Sequence, residues 1–134
     1  TVYEKTHCQI IAHFDLVTKF NEQIPLIDTA HPRYRRAVLQ ALDALCDTPA
    51  LFEVNTGAIA RGYRTSAYPE PWILQEIGRR TGKPFVIPSD CHKKEYLQCH
   101  FSETAALLES LGLPYCRTAE EILQFNEINN PRHV

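Results

Sequence analysis

Methionine is absent from this chain, and long apolar runs are absent with it. No stretch approaches the roughly 20 consecutive apolar residues that cross a bilayer as a helix. Glu4, Lys5 and His7 break the amino-terminal segment before it can read as a secretion signal. Charge of one sign is not in excess. Fourteen Lys and Arg against 16 Asp and Glu give a formal charge of -2 at pH 7, which supplies no general attraction to nucleic acid or anionic lipid. Paired cysteines are also missing. The five are odd in number, and none forms a C-x-x-C pair: Cys8, Cys46 and Cys116 stand alone, and Cys91 and Cys99 are well separated. That scatter argues against a disulfide framework and fits reduced thiols. These absences leave no membrane and no nucleic acid among the expected partners, and a cytoplasmic location as the expectation.

What is present describes one ordinary domain over residues 1–134, with 44% hydrophobic and 22% charged residues. No internal repeat, low-complexity stretch or linker divides it. The order reads as strand, helix, strand, helix, strand, helix, then a short final strand and helix. Strands are expected at Gln9 to Ala12, Leu51 to Val54 and Phe85 to Ile87, each a short apolar run. A helix is expected from Pro32 to about Cys46, with His31 or Thr29 near its cap. Tyr34, Val38, Ala41, Leu42 and Leu45 fall on one face of it. A second runs from Pro71 to about Arg80, turning Trp72, Ile73 and Ile77 to the core and ending at Gly82. The stretch from Gly57 to Tyr68 reads as a long polar connection. A third helix spans about Glu103 to Leu111, and Thr118 with Glu121 makes a capping-box pattern for a last one through about Phe125. Such alternation implies an α/β fold with parallel strands and right-handed crossovers.

Each strand runs into polar residues at its carboxyl end, where a parallel α/β fold places its active site. His13 and Asp15 follow the first, Asn55, Thr56 and Gly57 the second, and Asp90, Cys91 and His92 the third. An unpaired Asp is costly at the end of an apolar strand, so Asp90 wants a metal, an arginine or backbone donors. Asp90 and His92 together offer a hard oxygen and a borderline nitrogen ligand. His13 reads either as a core histidine or as a ligand, with Asp15 a ligand itself or an orienting group. Cys91, between two ligand candidates, reads as a packed thiol or as a nucleophile with no specified base.

The connection after the second strand carries Arg61 and Arg64 among small residues. A guanidinium matches phosphate oxygens bidentately, while the plainer reading is a solvated loop. Lys19 is a further phosphate contact or a surface lysine. Arg33, Arg35 and Arg36 cluster at a helix start and take no assigned role. Metal-type ligands beside anion-type arginines point to metal-assisted hydrolysis of a phosphate ester. Histidine and aspartate suit Zn, Mn or Fe without choosing among them.

At these residues the chain resembles a known family. The segment from Ile10 through His13 and Asp15 to Phe20 is similar to a signature of histidinol-phosphatases in the polymerase-and-histidinol-phosphatase (PHP) superfamily. So is the segment from Phe52 to Arg64, and Ser89 to His92 resembles that superfamily's last metal motif. The likeness runs from about residue 9 to 112. It implies a distorted (β/α)7 barrel around a multinuclear site of divalent metal ions. It also implies hydrolysis of L-histidinol phosphate, a small phosphorylated substrate, in histidine biosynthesis. Carried over, His13, Asp90 and His92 would be metal ligands, with Asp90, His92 and Asp15 among the catalytic groups. Arg64, and after it Arg61, Lys19 and Asn55, would serve the substrate.

The family's amino-terminal His-x-His motif and its later Glu and His ligands have no counterpart in these residues. The resemblance therefore implies the carboxyl-terminal half of such an enzyme: a partial barrel whose three ligands alone cannot hold a multinuclear cluster, so that this chain by itself would be inactive. Exposed sheet edges would favour self-association. Two other readings stand beside it. One is a non-catalytic half-barrel that binds a phosphorylated ligand or a protein; the other is a PHP phosphoesterase with another substrate.

Overall fold

A computed structural model describes residues 2–129. Those residues form a mixed α/β domain with a three-stranded parallel sheet. The strands, β1 (Ile10–Ile11), β2 (Leu51–Glu53) and β3 (Phe85–Val86), lie side by side in chain order. Register is set by Ile10 against Leu51, Ile11 against Phe52, Phe52 against Phe85, and Glu53 against Val86. The central strand β2 is buried throughout, as expected of a parallel strand covered on both faces. The expected final strand is reduced to a single parallel bridge of Tyr115 to Phe85, closed by Phe85 N–H to Pro114 O and Cys116 N–H to Phe85 O, both at 2.8 Å.

Six helices surround the sheet among the described residues: α1 (Val2–Thr6), α2 (Pro32–Leu45), α3 (Gly57–Ala60), α4 (Pro71–Thr81), α5 (Phe101–Ser110) and α6 (Ala119–Asn129). None is long and apolar enough to cross a membrane. The start of α2 follows its sequence signals, since Pro32 occupies the first turn and the His31 ring accepts a hydrogen bond from Arg33 N–H. Val38 and Leu42 of α2, Ile73, Leu74 and Ile77 of α4 and Leu108 of α5 close the core over Phe52, Val54 and Phe85. Ala41 is exposed, so the apolar face of α2 is narrower than its spacing suggested. Gly82 ends α4 in the left-handed region at φ 62°, where only glycine is unstrained.

Among the described residues four short elements depart from the sequence reading: α1, a 3-10 turn at Lys94–Tyr96, and two that follow strand ends. Leu16–Thr18 forms one 3-10 turn, and α3 lies inside the supposed polar connection. Both are too short to leave a periodic signature, and both follow a strand end directly.

Candidate active site at the carboxyl ends of the sheet

Beyond β2, three buried polar residues tie the strand ends together. The Glu53 carboxylate accepts the His13 backbone N–H at 3.0 Å and the Asn55 amide N–H at 2.8 Å through the same oxygen. Asn55 in turn accepts the Gly57 N–H at 2.9 Å. A buried carboxylate is tolerable when its lone pairs are met in this way. Asn55 also bridges to Tyr68, its N–H donating to the Tyr68 carbonyl at 2.9 Å and its carbonyl accepting the Tyr68 N–H at 3.3 Å. The loop between Asn55 and Tyr68 is thereby pinned at both ends.

Above this layer opens a cleft of about 480 Å³ lined by His13, Lys19, Arg61, Tyr68, Asp90 and His92, with Leu16 and Tyr63. Its centre is Asp90. The carboxylate accepts from Arg61 Nη2 at 2.8 Å and from His13 Nε2 at 3.4 Å. Arg61 Nη1 reaches the Asp90 carbonyl at 2.8 Å and His92 Nδ1 at 2.9 Å. His92 Nδ1 also lies 3.0 Å from the Asp90 carbonyl, so this nitrogen sits between a guanidinium donor and a carbonyl acceptor. Burial pushes the Asp90 carboxyl upward, but the Arg61 and His13 hydrogen bonds and charges outweigh it, and the group sits below its ordinary value. Lys19 stands over the Phe20 and Tyr63 rings at 5.1 Å from each centroid.

Two of the five non-glycine residues with positive φ among the described residues lie here. His13 and Asp90, which face each other, both hold left-handed conformations, at φ 54° and 46°. Such conformations cost on the order of 1–3 kcal/mol away from glycine and persist where surrounding structure enforces them. Gly57 is also needed, for space: a Cβ there would lie 2.8 Å from Asp90 Oδ2 and 2.9 Å from Arg61 Nη2.

The sequence candidates divide on two sides of a partition. Lys19 and Tyr63 face this cleft, while their chain neighbours Thr18 and Arg64 line a second cleft of about 360 Å³. The Arg64 side chain is 5% exposed and donates to Thr18 Oγ1 at 2.5 Å and Ser66 Oγ at 3.4 Å, with Glu22 at 3.7 Å. Asp15 lines neither cleft; it accepts from Tyr34 Oη at 2.5 Å and from Thr18 Oγ1 at 3.2 Å. Burial, ahead of its hydrogen bonds, holds its carboxyl above the usual carboxylate pKa. Asn55 is fully buried and serves the scaffold. Cys91 is half-buried and free. Tyr68 and Tyr63 are the cleft residues that sequence reasoning passed over. Only the aromatic within Arg-Gly-Tyr-Arg hinted at one of them.

The donor types suit a divalent ion, and His13 and Asp90 are adjacent. His92, however, is turned to Arg61, and among the described residues no three ligating side chains converge. The set fits part of a metal centre. As it stands, Arg61 supplies the positive charge beside Asp90.

The chain matches no family model, no curated protein and no solved structure.

Proposed function

We propose that this chain is the carboxyl-terminal part of a metal-dependent phosphomonoesterase of the PHP type, with L-histidinol phosphate as the substrate. One observation carries the reading. His13, Asp90 and His92 from the carboxyl ends of β1 and β3 meet in one cleft with Arg61, from the end of α3 after β2, and Lys19. Function at the carboxyl edge of a parallel sheet is the expected arrangement of an α/β enzyme, and the open sheet is consistent with part of a barrel.

His13, Asp90 and His92 would hold divalent metal together with ligands from outside these residues. Bound there, the ion supplies Lewis acidity and a nucleophile at neutral pH. Arg61 and Lys19 neutralise the phosphate oxygens, Arg61 through a planar fork and Lys19 as a point charge. Glu53 and Asn55 hold His13 and Gly57 in place beneath them. Arg64, one wall away, stabilises the loop that presents Arg61. The choice of histidinol phosphate within phosphomonoesters rests on the sequence resemblance alone.

Isothermal titration with inorganic phosphate tests the anion half of this reading. The chain should bind phosphate, Arg61→Ala should weaken binding roughly tenfold or more, and added Mn²⁺ or Zn²⁺ should tighten it. Absence of binding with and without metal would remove the proposal. The Arg61 contacts to Asp90 and His92 favour a second reading, a phosphate-binding domain without hydrolysis. Phosphate binding that is indifferent to metal would select it.

A further inference from the structure

Lys19 is half-buried in the wall of the cleft, and its ammonium sits against two aromatic rings. Nζ lies 5.1 Å from the centroid of the Phe20 ring and 5.1 Å from that of Tyr63. The rings meet edge to face at 4.9 Å, with 71° between their planes, and so form a single corner. Their segments are tied together. Gln23 Nε2 donates to the Gly62 carbonyl at 2.9 Å, and Tyr63 N–H donates to the Ala58 carbonyl at 2.9 Å. Among the described residues no carboxylate pairs with Lys19. A lysine stem is flexible and would otherwise sweep many rotamers, whereas the negative face of a ring attracts and orients the cation at its end.

We propose that Phe20 and Tyr63 form an aromatic clamp that positions the Lys19 ammonium for a phosphate oxygen of the ligand in this cleft. The inference rests on the phosphate reading above and adds two positioning residues to that site, both acting through Lys19. The two cations are thus held by different means. Arg61 is fixed by hydrogen bonds to Asp90 and His92, which do not depend on the rings, although its Cζ lies 5.9 Å from the Tyr63 centroid. Lys19 is fixed by ring faces. A ring orients a cation without cancelling its charge; a carboxylate in the same place would neutralise the charge that phosphate is to meet. The lysine is therefore ordered before the anion arrives, and less freedom is lost on binding.

Inorganic phosphate titrated into the wild-type chain, Tyr63→Leu and Phe20→Leu, well below their melting midpoints, tests this. Each variant should bind about three- to tenfold more weakly, in the range for a cation held by a ring face. Tyr63→Phe keeps a ring and should restore affinity to within about twofold of wild type. Lys19→Ala should itself bind more weakly, and in that background neither leucine substitution should lower affinity further. A ring with a merely structural role would lower it in both backgrounds. Wild-type affinity in both leucine variants overturns the inference while leaving the phosphate reading intact, as does an equal loss in the Lys19→Ala background or in Tyr63→Phe. Failure of the wild type to bind phosphate, with or without Mn²⁺, overturns both.

Discussion

Arg61 grips Asp90 twice, through the carboxylate and through the backbone carbonyl, each at 2.8 Å. The second contact matters because Asp90 holds a left-handed backbone. One guanidinium thus bolts the loop after β2 to the strained loop after β3 while facing the cleft. Arg61→Lys keeps the charge but loses the fork. The account expects it to bind phosphate more weakly than wild type and to lose about 1 kcal/mol of stability, since both partners are partly exposed. Denaturant melts with phosphate titrations check this; a lysine variant equal to wild type in both would show that charge alone suffices.

Gly57 is required for room, since its φ is not positive. Gly57→Ala would drive a methyl against Asp90 and Arg61. The expected cost is about 1–3 kcal/mol, as for other overpacked sites, with phosphate affinity reduced as Arg61 is displaced. An alanine variant with wild-type stability and affinity would mean that the two side chains approach the α3 backbone less closely than described.

Arg64, the sequence's leading phosphate contact, belongs to the neighbouring cleft. Its removal should act on stability, through the hydrogen bonds to Thr18 and Ser66 and the pairing with Glu22. For Arg64→Ala the loss should be about 2 kcal/mol, discounted for the partial exposure of Glu22. Phosphate affinity in the folded variant should change less than threefold. A large affinity loss without destabilisation would return Arg64 to the ligand site.

Asp15 offers a pH-dependent test. Burial raises its pKa despite the Tyr34 and Thr18 hydrogen bonds. A carboxyl raised in the folded state favours folding when protonated. That contribution is complete below the ordinary Asp value near 3.9 and is lost as pH rises through the raised value. Asp15→Asn removes the titration, so the variant should gain stability over wild type at neutral pH and lose the advantage toward pH 4. Thermal melts across that window decide it. A constant offset would show that Asp15 titrates normally.

Much of the scaffold was legible because its signals are local. Apolar pairs such as Ile10-Ile11 and Phe85-Val86, the Pro32 and Pro71 starts and the Gly82 stop each place an element by themselves. The meeting of His13, Asp90 and His92 at strand ends also follows from order and topology. Which arginine faces the cleft does not. Arg61 ends α3, Gly62 turns the chain at φ 70°, and Tyr63 and Arg64 then point to opposite sides. Three residues of sequence carry no record of that reversal. Tyr68 was hidden for a similar reason, since its place depends on a bridge to distant Asn55. His13 and Asp90 belong to residue types that enter the left-handed region more readily than most, but no local signal marks these two copies as doing so.

The most direct test of the central claim is phosphate release from L-histidinol phosphate, measured with Mn²⁺ or Zn²⁺. It should use the protein that carries this chain together with the remaining ligands. The account predicts metal-dependent turnover that chelation removes and that Asp90→Ala and His92→Ala each lower at least a hundredfold. Undiminished turnover in both variants, or turnover indifferent to chelation, would contradict it.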